Sequence, residues 1–248
     1  MSFSKKNIDL IKKAYNKNGY TVVRQLFDKE TILNAKNDLN VFLEKNRNGF
    51  KKIEINYTKA GKINSVHNFT SWPWVKIFRK NKNLIKIIDS LLGKKAKDFG
   101  SELFAKPAKT GLPAPIHQDN YYWCIDNAKA LTVWISFGES NRHNGGIFYM
   151  DETHKLGILE HEKSFAPGSS QKLKYPEGLA SFKKKYTSLK AGDCVIHHCL
   201  SAHGSDANKS NNSRVGCTLR YISKTSKIDQ IMKMKYEKDL KQHFKNIK

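Results

Sequence analysis

Residues 115–123 read Pro-Ile-His-Gln-Asp-Asn-Tyr-Tyr-Trp, and this stretch decides how the second half of the chain is interpreted. His117 and Asp119 are two positions apart, and on an extended segment such residues face the same side. One imidazole and one carboxylate can therefore converge on one point. Two imidazoles and one carboxylate are the set typical of non-heme Fe(II), because they leave coordination positions open. The stretch predicts part of a metal site, and a further imidazole must come from elsewhere in the fold.

The third ligand is sought in residues 192–205, which read Gly-Asp-Cys-Val-Ile-His-His-Cys-Leu-Ser-Ala-His-Gly-Ser. This stretch holds His197, His198 and His203, and at this point the choice among them stays open. Arg214 opens the apolar strand that follows. An arginine fork binds a carboxylate through two hydrogen bonds, so Arg214 is a candidate clamp for an anionic ligand of the metal. Neighbouring strands would thus supply a metal ligand and a clamp to one pocket.

The rest of the chain predicts helices followed by a β core. We predict helices at 5–18, 28–45 and 74–92, a strand at 20–24 and an irregular segment at 46–72. After residue 97, short apolar runs predict strands at 101–106, 116–123, 129–137, 146–150, 187–190, 193–199 and 214–223. Regular short strands separated by turn residues indicate a sandwich or a barrel. We expect one domain, with a helical part at 1–97, a β core at 98–223 and a basic helix at 224–248.

Composition excludes several classes of protein. Of the 248 residues, 39% are hydrophobic and 11% are aromatic, which excludes a wholly disordered chain. There is no run of about 18 apolar residues, so we expect no membrane-spanning helix. The N-terminus lacks the apolar core of a signal peptide, and the four cysteines form no CxxC pair. We therefore expect buried thiols and a cytoplasmic location.

Basic residues outnumber acidic ones, with 45 Lys and Arg against 22 Asp and Glu and a formal net charge of +23. Such a charge attracts phosphates, nucleic acids and anionic membranes. However, 39 of the 45 are lysines, and they are spread along the whole chain. We interpret them as a solvated surface and expect a small-molecule substrate rather than a nucleic acid. The lysine-rich helix at 226–248 is interpreted as docked on the sheet or frayed in solvent, with a membrane surface or a protein partner as the alternative.

Several separate blocks resemble the phytanoyl-CoA dioxygenase family of Fe(II)/2-oxoglutarate oxygenases. In that family the arginine follows the distal histidine by eleven residues, as Arg214 follows His203 here. The other matching blocks are Lys106-Pro107, His117-Gln-Asp119, Trp134, Asn144-Gly-Gly146, Thr153-His154-Lys155, Gly192-Asp193, His203-Gly-Ser205, Asn208-Lys-Ser210 and the opening Asn18-Gly-Tyr-Thr-Val-Val23. The resemblance therefore covers nearly the whole chain.

The resemblance implies a fold, a metal and a cosubstrate. The fold would be mainly β with flanking helices, a double-stranded β-helix (jelly-roll, cupin-like) core buttressed by N-terminal α-helices. The implied Fe(II) ligands are His117, Asp119 and His203, and the implied 2-oxoglutarate contacts are Arg214, Ser205 and Trp134. The implied activity is hydroxylation of a small-molecule metabolite with O2, which releases succinate and CO2. Because Asp119 is retained, hydroxylation is favoured over halogenation, which needs a small residue there.

Four residues near these blocks are candidates to contact the substrate: Asn120, Tyr121, Trp123 and His154. If a strand runs through 116–123, Tyr121 and Trp123 point inward with the metal ligands. Packing inside the barrel is the alternative for both. Residues 151–155 read Asp-Glu-Thr-His-Lys where the family often has Pro-Gly-Ser-His-Lys. We therefore expect a reshaped loop at the mouth of the pocket.

Other interpretations stay open at this stage. Lys106 either neutralises a carboxylate or lies at the surface, and His197 and His198 are core or supporting histidines unless one of them is the ligand. Arg214 and Arg220 flank Thr218 as in nucleic-acid demethylases of the same superfamily, so an oxidative demethylase is one alternative function. A non-catalytic binding protein on the same barrel is the other, and it would require a broken metal triad.

Overall fold

The computed structural model describes residues 3–51, 54–166 and 169–245, with side chains described as far as residue 241. The helices are α1 (Lys5–Asn18), α2 (Lys29–Asn46), α3 (Pro73–Arg79), α4 (Lys82–Leu92), α5 (Asn120–Trp123) and α6 (Gln230–Lys245). The strands are β1 (Tyr20–Val23), β2 (Ile55–Tyr57), β3 (Ile63–Val66), β4 (Lys97–Lys106), β5 (Ala114–His117), β6 (Ala130–Ser136), β7 (Ile147–Met150), β8 (His161–Ala166), β9 (Ser169–Leu173), β10 (Lys184–Tyr186), β11 (Cys194–His198), β12 (His203–Ser205) and β13 (Arg214–Ile222).

Two antiparallel sheets face each other and enclose an inner space. The larger sheet has seven strands in the order β1-β11-β6-β13-β4-β3-β2, and the smaller has four in the order β10-β7-β12-β5. Strands β8 and β9 form a separate hairpin that contacts β5. From β4 to β7 and again from β10 to β13, successive strands alternate between the two sheets. This alternation is the arrangement predicted for a double-stranded β-helix.

The larger sheet is buried on both faces. Successive residues of a strand point to opposite sides, so each strand supplies side chains to both faces. On β6, Leu131, Val133 and Ile135 belong to the core that the N-terminal helices cover. Trp134 lies between them in sequence and packs with Tyr149 of the smaller sheet. The inner space between the sheets is therefore lined by the alternate positions of each strand, and it is here that the polar residues of the candidate site collect.

The N-terminal segment 1–97 contributes strands as well as helices. The helix predicted at 74–92 is two helices, because the Asn81 side chain accepts hydrogen bonds from the backbone N–H of Asn83 and Leu84 and caps α4. The prediction of an irregular segment at 46–72 is wrong in part, since β2 and β3 form a hairpin there beside β4. At the other edge, β1 pairs with β11.

The strand predicted at 116–123 is wrong after its first two residues. β5 ends at His117, and the helical turn α5 follows. The backbone N–H of Asn120 donates to Cys199 O at 2.9 Å, and the Asn120 side-chain amide both donates to and accepts from the backbone of Ile125. A polar side chain that pairs with nearby backbone stabilises a turn in place of a strand.

Two further differences concern strands. The strand predicted at 187–190 is wrong, because those residues make a single bridge, between Leu189 and Ser140, and β10 lies earlier in the chain. The hairpin β8–β9 and the short β12 have no counterpart among the predicted strands. The sequences of β8 and β9, His-Glu-Lys-Ser-Phe-Ala and Ser-Ser-Gln-Lys-Leu, are too polar to signal a strand.

The basic C-terminal helix begins later than predicted, at Gln230, and docks on the core. Asp229 Oδ1 accepts hydrogen bonds from the backbone N–H of Ile231 and Met232 and so caps the helix. The Tyr236 side chain packs against α5, which follows the predicted metal ligands in the chain. In the part of the chain that the structure describes, no helix is long and apolar enough to cross a membrane.

Candidate metal centre

Strand pairing brings the three predicted metal ligands together. His117 ends β5 and His203 begins β12, and the two residues are directly paired in the ladder. Asp119 follows two residues after His117, before α5. One ligand atom from each side chain lies within 4.8 Å of the others, and Asp119 Oδ1 is 3.6 Å from Nε2 of each histidine. These separations fit three ligands placed around one metal ion.

Backbone carbonyls fix the orientation of both imidazoles. Nδ1–H of His117 donates to Pro115 O at 2.9 Å, and Nδ1–H of His203 donates to Ser201 O at 2.9 Å. Because a neutral imidazole carries one N–H, each Nε2 keeps its lone pair, and these lone pairs lie near Asp119. Metal-bound histidines in proteins commonly have this outer hydrogen bond, which sets the tautomer and the direction of the ring.

Asp119 is held through its second carboxylate oxygen. Thr132 Oγ1 donates to Asp119 Oδ2 at 2.7 Å, and His197 Nε2–H donates to the same oxygen at 3.0 Å. The hydroxyl of Tyr149 donates to His197 Nδ1 at 2.8 Å. Of the histidines that the sequence left open, His203 faces the other two predicted ligands, whereas His197 contacts Asp119 from the side of the larger sheet.

Electrostatics favour metal-binding forms at two of the three predicted ligands, Asp119 and His203. Burial alone would raise the pKa of Asp119, but His203, His117 and His197 hold it well below its usual range. Burial, with smaller contributions from His117 and His197, holds the pKa of His203 well below its usual range. A charged carboxylate and a neutral imidazole are the forms that bind a metal ion. Burial alone would lower the pKa of His117, but Asp119 raises it, so a metal ion would have to displace a proton there.

A buried arginine with unpaired N–H groups lies in the same inner space. Arg214 is 2% exposed, and its guanidinium lies 5.0 Å from the centre of the Trp134 ring. Among the described residues, Arg214 Nε and Nη1 have no hydrogen-bond partner. Burial lowers the pKa of Arg214 to about 10, so the group stays charged at neutral pH. A buried cation with free donors fits a carboxylate, which is the ligand predicted for it.

Lys106 is buried next to this arginine, so the surface alternative for Lys106 is wrong. It is 4% exposed, and its Nζ donates to Ser205 Oγ at 2.7 Å and to Asp206 O at 2.5 Å. Burial, and then the charge of Arg214, lower the pKa of Lys106 to about 6. Because Ser205 accepts this hydrogen bond, its own hydroxyl proton stays available for a ligand. With a pKa of about 6, Lys106 is largely uncharged at neutral pH, so Arg214 supplies the positive charge at this end of the inner space and Lys106 supplies a hydrogen-bond donor.

Two of the residues predicted to contact the substrate, Asn120 and Trp123, contact other protein groups instead. Asn120 is 3% exposed, and both ends of its amide are paired with backbone. The Trp123 ring packs against Phe99 at 5.6 Å and against the Arg220 guanidinium at 5.6 Å. The predicted inward alternation of Tyr121 and Trp123 is wrong, because residues two apart on a helical turn do not share a face.

The other two predicted substrate contacts, Tyr121 and His154, also meet protein groups. Tyr121 stacks on His161 at 4.2 Å, and its hydroxyl donates to Asp239 of α6 at 3.3 Å. His154 Nε2–H donates to a backbone carbonyl of α1 at 3.1 Å, and its ring lies 5.5 Å from that of His198. His154 and His198 thus belong to the contact between α1 and the β core.

Tyr122, for which the sequence predicts no role, borders the metal ligands. Its ring lies 5.8 Å from the His117 ring at an interplanar angle of 82°, and its hydroxyl donates to Gln171 O at 3.0 Å. Tyr236 of α6 packs against Tyr122 at 5.8 Å. Residues three apart on a helical turn share a face, so Tyr122 stands on the side of Asp119. Recognition of the turn in the sequence would have identified it.

A charged cluster lines the inner face of the larger sheet. His67 Nδ1–H donates to Glu102 at 2.7 Å, and Arg220 Nη1 lies 3.5 Å from the same carboxylate. Arg220 is directly paired in the ladder with Thr132, which holds Asp119. Burial alone would raise the pKa of Glu102, but Arg220 and His67 hold it at about 2. The only sequence signal for this cluster is the period-two placement of polar residues on β4.

Comparison with protein families and curated proteins gives one consistent result. A family model described as phytanoyl-CoA dioxygenase (PhyH) matches residues 15–216. The peroxisomal phytanoyl-CoA dioxygenase of Homo sapiens is 21% identical over 229 residues, covering 86% of this chain and 67% of that protein. The probable alpha-ketoglutarate-dependent hypophosphite dioxygenase of Stutzerimonas stutzeri is 24% identical over 224 residues, covering 82% of this chain and 74% of that protein.

Solved structures give the same fold. The epimerase SnoN, in complex with Fe3+, alpha ketoglutarate and nogalamycin RO, superposes with a TM-score of 0.74 at 16% identity, covering 90% of this chain and 86% of its own. EctD from S. alaskensis, with 2-oxoglutarate and 5-hydroxyectoine, has a TM-score of 0.73 at 19% identity, covering 92% and 78%. The predicted jelly-roll core with flanking helices is confirmed.

Proposed function

We propose that this chain, which belongs to the phytanoyl-CoA dioxygenase family, is an Fe(II)- and 2-oxoglutarate-dependent dioxygenase that hydroxylates a small-molecule metabolite. The observation that carries the proposal is the convergence of His117, Asp119 and His203 in the inner space that also holds Arg214, whose Nε and Nη1 have no hydrogen-bond partner among the described residues. The triad alone would suit many metal enzymes. A buried cation with free donors can bind one carboxylate of a dicarboxylate, while the other end of that molecule binds the metal.

In this proposal, each group of the site has one task. His117, Asp119 and His203 would hold Fe(II), and three protein ligands would leave room on the metal for 2-oxoglutarate and O2. When bound, the metal and cosubstrate together use O2 to convert a substrate C–H bond into an alcohol, with release of succinate and CO2. Arg214 orients the cosubstrate through its distal carboxylate, and Ser205 donates its hydroxyl proton to the same group. Trp134 underlies Arg214 and keeps water from the guanidinium.

The surroundings of the site favour a small substrate. Tyr122 of α5 lies beside His117, and Tyr236 of α6 packs against Tyr122 from behind. Two relatives are named after small-molecule substrates. One is the hypophosphite dioxygenase, and the other is a 1-deoxypentalenic acid 11-beta-hydroxylase of Streptomyces exfoliatus, which is 22% identical over 216 residues. Aromatic side chains beside the metal ligands are typical of small-molecule sites.

The structure weakens the demethylase alternative at the residue that motivated it. Arg220 lies 3.5 Å from the Glu102 carboxylate and packs against Trp123, so its charge is compensated within the protein. A phosphate contact would have to displace that carboxylate.

All four cysteines are free and buried, which supports the cytoplasmic location that we include in the proposal.

Turnover of the cosubstrate tests this function. Protein loaded with Fe(II) is mixed with 2-oxoglutarate, air and a panel of amino acids, osmolytes, phosphonates and acyl-CoA esters, and succinate is measured by NMR. We expect slow succinate formation without substrate, acceleration by members of the panel, and a product heavier by one oxygen atom. Asp119→Ala should form no succinate. Absence of succinate from iron-loaded wild-type protein contradicts the proposal, and acceleration by methylated oligonucleotides alone favours the demethylase.

A further inference from the structure

The two oxygens of the Asp119 carboxylate have different surroundings. Oδ1 lies 3.6 Å from Nε2 of both His117 and His203. Oδ2 accepts hydrogen bonds from Thr132 at 2.7 Å and from His197 at 3.0 Å. The carboxylate therefore offers one oxygen to a metal, while protein donors occupy the other.

His197 is fixed as a donor by what its second nitrogen contacts. Since a carboxylate only accepts, the contact with Asp119 places a proton on His197 Nε2, and Nδ1 then accepts the hydroxyl proton of Tyr149. His197 is 2% exposed and Tyr149 is fully buried, so water does not compete for these bonds. Tyr149 stacks on Tyr20 at 4.3 Å, and the Tyr20 hydroxyl donates to Asp151 at 2.9 Å. The orientation of His197 is thus set by a chain of buried contacts.

The two donors reach Asp119 from neighbouring strands. His197 on β11 and Thr132 on β6 are directly paired in the ladder, so their side chains stand on the same face of the sheet. The next residue, His198, points to the opposite face, where its ring lies 5.9 Å from that of Tyr15. The rigid sheet rather than a loop therefore presents both donors, and His198 provides a matched control.

Building on the proposed function, we propose that His197 and Thr132 are positioning residues that keep Asp119 a one-oxygen ligand of iron and so keep a coordination position open for O2. If Oδ2 turned toward the metal, Asp119 would occupy two positions and would lose both hydrogen bonds. Together with two histidines and a chelating 2-oxoglutarate, a two-oxygen carboxylate would fill an octahedral ion. The two donors hold Oδ2 away from the metal, and the position it would take remains free.

The test uses the full chain loaded with Co(II), whose visible absorption bands weaken as its coordination number rises. Thr132→Val removes one donor with little change of shape, His197→Phe removes the other and keeps a ring, and Thr132→Ser restores the first hydroxyl. We expect each loss of a donor to weaken Co(II) binding about 10- to 100-fold, the usual effect of removing a hydrogen-bond partner of a metal ligand. With 2-oxoglutarate bound, the bands of each donor-loss variant should respond less to added azide, because a second Asp119 oxygen would fill the position that azide takes. Thr132→Ser and His198→Ala should match wild type.

Unchanged Co(II) affinity and spectra in both Thr132→Val and His197→Phe would overturn the inference. An equal loss in Thr132→Ser or His198→Ala would overturn it too, because the effect would then be a general disturbance of the core. If His197→Phe does not fold, Thr132→Val with its serine rescue decides the matter. Wild-type protein that binds no Co(II) would overturn the proposed function itself, so the two failures are distinguishable.

Discussion

Replacing Arg214 with methionine should remove most of the affinity for 2-oxoglutarate while preserving the fold. Methionine is of similar length and can lie on Trp134, but it donates no hydrogen bond. Arg214 Nε and Nη1 are the donors left without a partner among the described residues. Each hydrogen bond to a charged group is worth about 1.5–3 kcal/mol, so loss of two costs about 3–6 kcal/mol. Since about 1.4 kcal/mol is tenfold in Kd, the Kd for 2-oxoglutarate should rise about 10²- to 10⁴-fold.

The same substitution should not destabilise the ligand-free protein. The contact of the Arg214 guanidinium with the Trp134 ring contributes about 0.5–2 kcal/mol. Burial of a cation with unpaired donors costs at least as much, because those donors lose their hydration. We therefore expect the free energy of unfolding of Arg214→Met to be unchanged or higher by up to about 2 kcal/mol. Lower affinity at equal or higher stability is typical of a residue that serves binding.

Two measurements separate these effects. Calorimetric titration of Co(II)-loaded protein with 2-oxoglutarate gives the Kd, and urea unfolding gives the stability. Arg142→Met is the matched control, because Arg142 is exposed and lies 5.0 Å from the Tyr186 ring, the same stacking distance as Arg214 over Trp134. A Kd within threefold of wild type, or a large loss of stability with unchanged affinity, would refute the reasoning.

The remaining predictions concern metal binding, acid stability and packing. His203→Ala should abolish binding of Fe(II) and Co(II), and retained tight binding in calorimetry would exclude it as a ligand. Glu102 has a pKa of about 2 in the fold, below its unfolded value of about 4.3, so it adds stability above pH ~4.3 that is lost as the pH falls toward 2. Glu102→Gln should therefore flatten the acid limb of a plot of unfolding free energy against pH, and an unchanged slope would contradict this. A Cβ at Gly216 would overlap the Trp134 ring, so Gly216→Ala should cost about 1–3 kcal/mol in urea unfolding. Gly138→Ala, which meets no heavy atom within 4 Å, should be close to neutral, and equal losses would exclude the overlap as the cause.

Residue type alone could not identify which of three histidines completes the predicted metal site. His197, His198 and His203 lie in one short stretch, and each carries an imidazole, a common metal ligand. The register of the strands separates them, because His203 pairs with His117 in one sheet while His197 pairs with Thr132 in the other. Register depends on the whole sheet, so spacing along the chain could not supply it. The resemblance to a family supplied the choice instead.

The residues around the site could not be placed from the sequence, for the same reason. The turn α5 replaces the predicted strand because Asn120 bonds to Ile125 nearby and to Cys199, which is distant in the sequence. Lys106 is buried against Ser205, although lysine is one of the residues most often exposed. Local preference is overridden where a hydrogen-bonding partner comes from another strand. By contrast, the apolar strands β6, β11 and β13 could be predicted because both faces of the larger sheet are buried.

The measurement that tests the central claim most directly is an anaerobic titration of the Fe(II)-loaded protein with 2-oxoglutarate, followed by visible absorption. Chelation of ferrous iron by a 2-oxo acid gives a metal-to-ligand charge-transfer band. We predict that the band appears in wild-type protein, is lost in Asp119→Ala, and requires much more 2-oxoglutarate in Arg214→Met. Wild-type protein that binds iron and develops no band would contradict the assignment of this site to 2-oxoglutarate-dependent oxidation.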